Sequence, residues 1–113
     1  MGLSNLQQEF TLKIAKLIQF AYKQGYGLTF GDAYRDPRTN GEWGEKVGYS
    51  AAYSVHKKRL AVDLNVFKSG EYLQGDEAGE AHNILHNFWD SVGGAPRISD
   101  DLNHYSLEYQ GHY

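Results

Sequence analysis

Apolar residues recur every three to four positions from about 4 to 24. Leu6, Phe10, Ile14, Leu17, Ile18 and Ala21 share one face of a helix. Ser4 with Gln7 predicts a capping box at its start, and Gly25 predicts its stop. The period then changes to two. Over residues 27 to 35, Leu28, Phe30 and Tyr34 alternate with Thr29, Gly31, Ala33 and Arg35, the pattern of a strand. The second of these faces is small except for Arg35, a long cation that needs a partner or a ligand in the space its neighbours leave. Residues 36 to 55, with Pro37, Gly41, Gly44 and Gly48, show no clear period. A connection of that length in a small domain is uncommon and often functional, and part of this one has room to be helical.

The clearest strand follows at 59 to 67. Leu60, Val62, Leu64 and Val66 take one face, and Ala61, Asp63, Asn65 and Phe67 the other. Ser69-Gly70 then predicts a turn into a short strand at Glu71 to Leu73. Residues 76 to 92 predict a second helix, its stripe made by Ala78, Ala81, Leu85, Phe88, Trp89 and Val92 and its end by Gly93-Gly94. A last strand is expected from about His104 to Tyr109, where His104, Ser106 and Glu108 alternate with Tyr105, Leu107 and Tyr109. No internal repeat, linker or low-complexity stretch interrupts this order. The expectation is an α+β fold, two helices packed on a small, mainly antiparallel sheet, in one domain spanning 1–113.

Composition narrows the function classes. At 113 residues there is room for one core, and 41% hydrophobic with 22% charged residues is a globular balance. The net charge is −3, and no basic run exceeds Lys57-Lys58-Arg59, so no nucleic-acid partner is expected. No stretch approaches the roughly 20 apolar residues of a membrane span, and no export signal is legible at Met1-Gly2-Leu3-Ser4-Asn5-Leu6. With no cysteine, thiolate chemistry is excluded and any metal must use His, Asp or Glu. Aromatics reach 14%, nine of them tyrosines, which suits either a core with wet edges or a groove for a polar ligand.

Asp63 is the first candidate. A carboxylate inside an apolar strand costs several kcal/mol, at about the scale of a buried charge, unless it is paired, hydrogen-bonded or bound to a metal. An edge strand with Asp63 facing water fits equally well. His56 lies seven residues upstream, at the entry to the same strand, and a bend there brings it beside Asp63. His104 opens the last strand after Asp101, in the spacing Asp101-x-x-His104. If His104 completes a three-ligand site, one coordination place stays open and Asp101 is placed to take a proton from water there. In the competing structural reading, Asp100 or Asp101 only caps a turn. His82 and His86, at i and i+4 on the second helix, form a rival metal pair beside the apolar stripe, although Asn83 stands where an HExxH helix needs glutamate. His112, near the end of the chain, carries no expected role, and Ser54 suits a substrate contact better than a nucleophile.

In order, GDAYRDP (31–37), SVHKKRLAVDLNVF (54–67), FWDSVGG (88–94) and DLNHY (101–105) resemble the zinc peptidases of the D-alanyl-D-alanine carboxypeptidase group. That group includes VanY-type and VanX-type enzymes and phage endolysins that cleave the L-alanyl-D-glutamate bond of peptidoglycan. The resemblance spans residues 26 to 105, and Ser-x-His-x6-Asp followed by Asp-x-x-His is its most specific element. It implies a Hedgehog/DD-peptidase-like fold, zinc held by His56, Asp63 and His104, Asp101 as general base, Arg35 at the carbonyl oxygen or substrate, and Ser54 near the substrate. Here the chain reads His104-Tyr105-Ser106 where the group commonly continues His-aromatic-Glu, and Gly93-Gly94-Ala95-Pro96 where phage members often have Trp-Gly-Gly.

The expectation is therefore a monomeric phage endolysin that waits in the cytoplasm of the infected bacterium and acts on peptidoglycan in the periplasm or wall, causing host lysis. Two alternatives stand beside it: a D-Ala-D-Ala carboxypeptidase or dipeptidase, and a non-catalytic wall-binding module with a relic zinc site.

Overall fold

In the computed structural model, residues 2–48 and 50–113 are described; Met1, at the start of the N-terminal run read for an export signal, and Tyr49, within the long connection, lie outside them. Helix α1 (Leu3–Lys23) leads into β1 (Gly27–Phe30), a single helical turn α2 (Pro37–Asn40), and a 3₁₀ turn at Val55–Lys58. Strand β2 (Ala61–Lys68) hairpins into β3 (Glu71–Tyr72), then come α3 (Gly75–Ser91) and β4 (His104–Ser106). The architecture is α+β with a small antiparallel sheet, as the periodicity predicts. Among the described residues, no helix is long and apolar enough to cross a membrane.

Both long helices end in the same way. The Gly25 N–H donates to Tyr22 O and the Tyr26 N–H to Ala21 O, and after α3 the Gly93 N–H donates to Asp90 O and the Gly94 N–H to Trp89 O. These paired bonds need a left-handed residue first, and Gly25 (φ +88°) and Gly93 (φ +87°) supply it. The start of α1 differs from expectation. Ser4 and Gln7 form no capping box: Ser4 Oγ accepts from Gln8, while Gln7 Nε2 reaches across to donate to Lys58 O at 2.8 Å. A long-range carbonyl has taken the side chain that the local cap would have used.

β2 is the central strand. β1 pairs along its second half, Gly27 opposite Phe67 and Phe30 opposite Leu64, while β4 pairs along its first, Asp63 opposite His104 and Ala61 opposite Ser106. The amides of Leu64 and Leu73 bond to Asn103 O and Val66 O, so β3 and β4 share one edge of β2 and β1 holds the other. The alternation along β2 is the expected one: Leu60, Val62, Leu64 and Val66 are buried, and Asp63, Asn65 and Phe67 are only half-buried. Helices α1 and α3 cover the apolar face. Leu17, Leu64, Leu85, Trp89 and Tyr105 are fully enclosed, Phe20 stacks on Phe88 at 4.3 Å, and Phe10 meets Trp89 edge-on at 6.0 Å.

Two expectations, both about where strands end, are revised, while the room for a helix in the long connection is used. The strand predicted for 27–35 is regular only to Phe30, and Phe30 (64% exposed) and Tyr34 (39%) lie outside the core. The chain continues beside β2 through bonds from Gly31 N to Asp63 O and from Asp63 N to Asp32 O, then bends until the Arg35 N–H meets His56 O. The last strand closes at Ser106 instead of Tyr109, since the chain turns back there and Tyr109 pairs with His112. The long connection holds one short helix, α2, whose N-cap Asp36 accepts from the Arg38 N–H.

Candidate metal centre

Two independent pieces of backbone bring the candidate ligands together. Asp63 bonds through its own N–H and C=O to Asp32 and Gly31 on the β1 side. It therefore faces His104, its partner on β4, across a non-hydrogen-bonded pair, the register in which opposing side chains approach most closely. His56 arrives from the 3₁₀ turn before β2. That turn closes with Arg59 in the left-handed conformation (φ 56°), its N–H on His56 O, and the Arg35 N–H reaches the same carbonyl. His56 is thereby locked to both the start of β2 and the far end of the β1 segment.

The resulting cluster is tight. His56 Nε2 lies 3.3 Å and His104 Nδ1 3.5 Å from Asp63 Oδ1, and the three donor atoms all fall within 4.8 Å of one another. Both imidazoles are buried and Asp63 is half-buried. Asp63 Oδ1 and His104 Nδ1 have no hydrogen-bond partner among the described residues. Leaving such buried atoms unsatisfied costs about 1–3 kcal/mol each, so the cluster lacks a partner that would compensate. Four-coordinate ligands at zinc-like bond lengths of about 2.0–2.2 Å stand about 3.4 Å apart, close to the 3.3 and 3.5 Å that separate Asp63 Oδ1 from the two imidazole nitrogens. Two imidazoles and one carboxylate, with one place left over, fit a divalent cation. Burial pushes the Asp63 carboxyl upward, but His104 and His56 beside it outweigh that and hold it well below the usual carboxylate range. A ligand that stays ionised is what a cation site requires.

Around the cluster lies a cleft of about 440 Å³. Asp101 lines it, its Oδ2 3.8 Å from His104 Nδ1 and its carboxylate half exposed. Asp101 thus lines the cleft beside His104, and its carbonyl also accepts from the His104 N–H in the turn. Arg35 lines the cleft too. Its Nη1 donates to Ser54 Oγ at 3.1 Å and its Nε to Asp32 Oδ2 at 3.4 Å. All six residues singled out from the sequence, Arg35, Ser54, His56, Asp63, Asp101 and His104, thus belong to one centre.

His82 and His86 do not. They were expected beside the apolar stripe, yet both are buried, because Tyr105 of β4 covers that flank of α3. Tyr105 stacks on His86 at 4.2 Å, and its hydroxyl sits 2.7 Å from His82 Nδ1. His86 Nε2 donates to Leu102 O at 2.8 Å, so it tethers the turn that carries Asp101 and His104. Burial, then the neighbouring His86 and Arg97, pull the pKa of His82 down to about 4. Both are core histidines: His82 Nδ1 and His86 Nε2 each have a partner, His86 Nδ1 has none among the described residues, and neither belongs to the cluster around Asp63.

Sequence reasoning missed three contributors. Lys57 is 4% exposed and donates to Glu42 O, Glu45 O and Ala52 O, so it gathers the 42–52 stretch into a wall of the cleft. On that wall Trp43 packs edge-on against Tyr53 and Tyr109, and Tyr53 lines the cleft. His112, expected to have no role, also lines it. In the sequence Lys57 is only one member of the basic run Lys57-Lys58-Arg59, and no local signal marks it as a clamp on these carbonyls.

No protein-family model matches this chain, and no curated protein matches it. The site therefore stands on its own chemistry.

Proposed function

We propose that this chain is a zinc peptidase that hydrolyses the stem peptide of bacterial peptidoglycan, at the L-alanyl-D-glutamate bond, in the manner of a phage endolysin. The observation that carries the reading is the convergence of His56, Asp63 and His104, with buried donor atoms lacking partners, at the floor of a cleft that also presents Asp101 and Arg35. The metal class follows from the donor set, since nitrogen with carboxylate oxygen and an open place suits catalytic zinc. The substrate class follows from the resemblance of residues 31–37, 54–67 and 101–105 to the peptidoglycan peptidases.

Bound there, zinc supplies Lewis-acid chemistry that acidifies water and polarises a carbonyl. The chain's own residues do the rest. Asp101, half exposed beside His104, takes the proton of the attacking water and hands it to the leaving amine. Arg35, steadied by Ser54, donates to the carbonyl oxygen as negative charge builds on it, a contribution of about 3 kcal/mol per donor in comparable sites. The buried position of His56 and His104 keeps bulk water from competing for the ligand atoms.

Two measurements test this. Asp101→Ala is expected to bind zinc as the wild type does while turnover falls by about 10²–10⁴; unchanged hydrolysis removes Asp101 from the mechanism. Mass spectrometry of peptidoglycan digested with zinc-loaded protein should show peptides beginning at D-glutamate. Loss of terminal D-alanine alone would move the assignment to a carboxypeptidase. No product at all, with zinc bound, would leave a wall-binding module.

A further inference from the structure

We infer that His112 is a substrate-binding residue of this cleft, whose ring N–H holds a carbonyl or carboxylate oxygen of the bound peptide; the inference rests on the peptidase reading above. The side chain is fixed in advance. Its ring lies flat on Tyr53, 4.6 Å between centroids and 8° between planes, and meets Trp43 edge-on at 5.8 Å. Its backbone is fixed as well, by reciprocal bonds with Tyr109 of 2.8 and 3.0 Å. Trp43 and Tyr109 also touch, so the segment after β4 and the connection before the 3₁₀ turn close on each other around this imidazole.

His112 lines the same cleft as His56, His104 and Asp101, and its ring makes no hydrogen bond with any described residue. A neutral imidazole always carries one N–H donor and one acceptor nitrogen. Here both are left for whatever enters. Because stacking has already removed the rotamer freedom of the ring, a hydrogen bond to a ligand costs little further ordering. The chemistry of its neighbours indicates which group it meets. Tyr53, on which it rests, is followed by Ser54, the partner of Arg35, so this wall presents donors. The carboxylate of Asp101 comes from the separate turn before β4. A peptide's oxygens fit the donor wall.

The test uses His112→Phe, which keeps the flat ring and its stack on Tyr53 but removes both nitrogens, and His112→Gln, which returns a donor without the ring. With zinc-loaded protein and a soluble stem peptide containing the L-alanyl-D-glutamate bond, His112→Phe should raise KM about tenfold, the factor of one lost hydrogen bond. Its kcat, zinc affinity and thermal unfolding should match the wild type, and His112→Gln should recover part of the KM. A wild-type KM in His112→Phe overturns the inference. Calorimetric binding of the same peptide to the zinc-loaded Asp101→Ala protein, with and without His112→Phe, separates this from failure of the peptidase reading. If the wild type binds without cutting and His112→Phe weakens that binding, the peptidase reading falls and the site stands. Binding that ignores His112→Phe, or no binding at all, sinks the site.

Discussion

Acid should destabilise this fold through His82, whose surroundings hold its ring neutral. The ring is enclosed between α3 and Tyr105, and burial, with His86 and Arg97 nearby, lowers its pKa from 6.5 to about 4. A histidine depressed in the folded state stays neutral there while the unfolded chain takes up a proton. Stability is therefore intact above pH 6.5 and falls as the pH drops toward 4. At about pH 4.5 the unfolded imidazole is almost fully protonated while the folded one stays mostly neutral, a difference on the order of 2–3 kcal/mol. That is a large part of the roughly 5–15 kcal/mol that holds a small domain together. Urea unfolding of wild type and His82→Gln, in chelator at about pH 7.5 and 4.5, isolates the effect, because titration of the carboxylates and of the metal ligands cancels in the difference. The wild type should lose roughly 2–3 kcal/mol more than the variant on acidification. Equal losses would refute the claim that His82 is held neutral by its surroundings.

Zinc should stabilise the fold by linkage, by about 4 kcal/mol at a thousandfold excess over Kd, and calorimetric scans should show this gain in wild type and lose it in Asp63→Ala. A zinc-induced rise that persists in Asp63→Ala would place the ion elsewhere. Lys57→Met should destabilise by about 2–4 kcal/mol, since it strips the charged donor from three loop carbonyls. Hydrogen exchange at 42–52 should quicken in that variant before exchange in β2 does, and uniform quickening would contradict the clamp.

Much of this was legible in the chain because the relevant signals are local. The alternation along β2 marks Asp63 as the one acid among buried neighbours, and Gly25 and Gly93-Gly94 mark where the helices stop. The approach of His56 and His104 to Asp63 was implied by the family resemblance and not by spacing alone, and the cross-strand register that makes it so close depends on Asp32 and Gly31 occupying the other edge. What was not legible depended on partners distant in sequence. His82 and His86 sit one residue past Ala81 and Leu85, off the apolar stripe, and become core only because Tyr105 packs over them. Phe30 obeys the strand period yet stays exposed, because period reports which face a residue takes and not whether anything covers that face. Gln7 had a plausible local cap partner and took the Lys58 carbonyl instead.

The bond from His86 to the Leu102 carbonyl hangs the turn that carries Asp101 and His104 from the middle of α3. Repacking beneath α3, at Leu85 or Trp89, would tilt that helix and drag the turn with it, so changes made far from the cleft are transmitted to the spacing between acid and ligand. Heat tolerance and the geometry of the candidate site are then adjusted by the same lever, and a programme that hardens the interior without watching Leu102 will shift Asp101 and His104 as it goes.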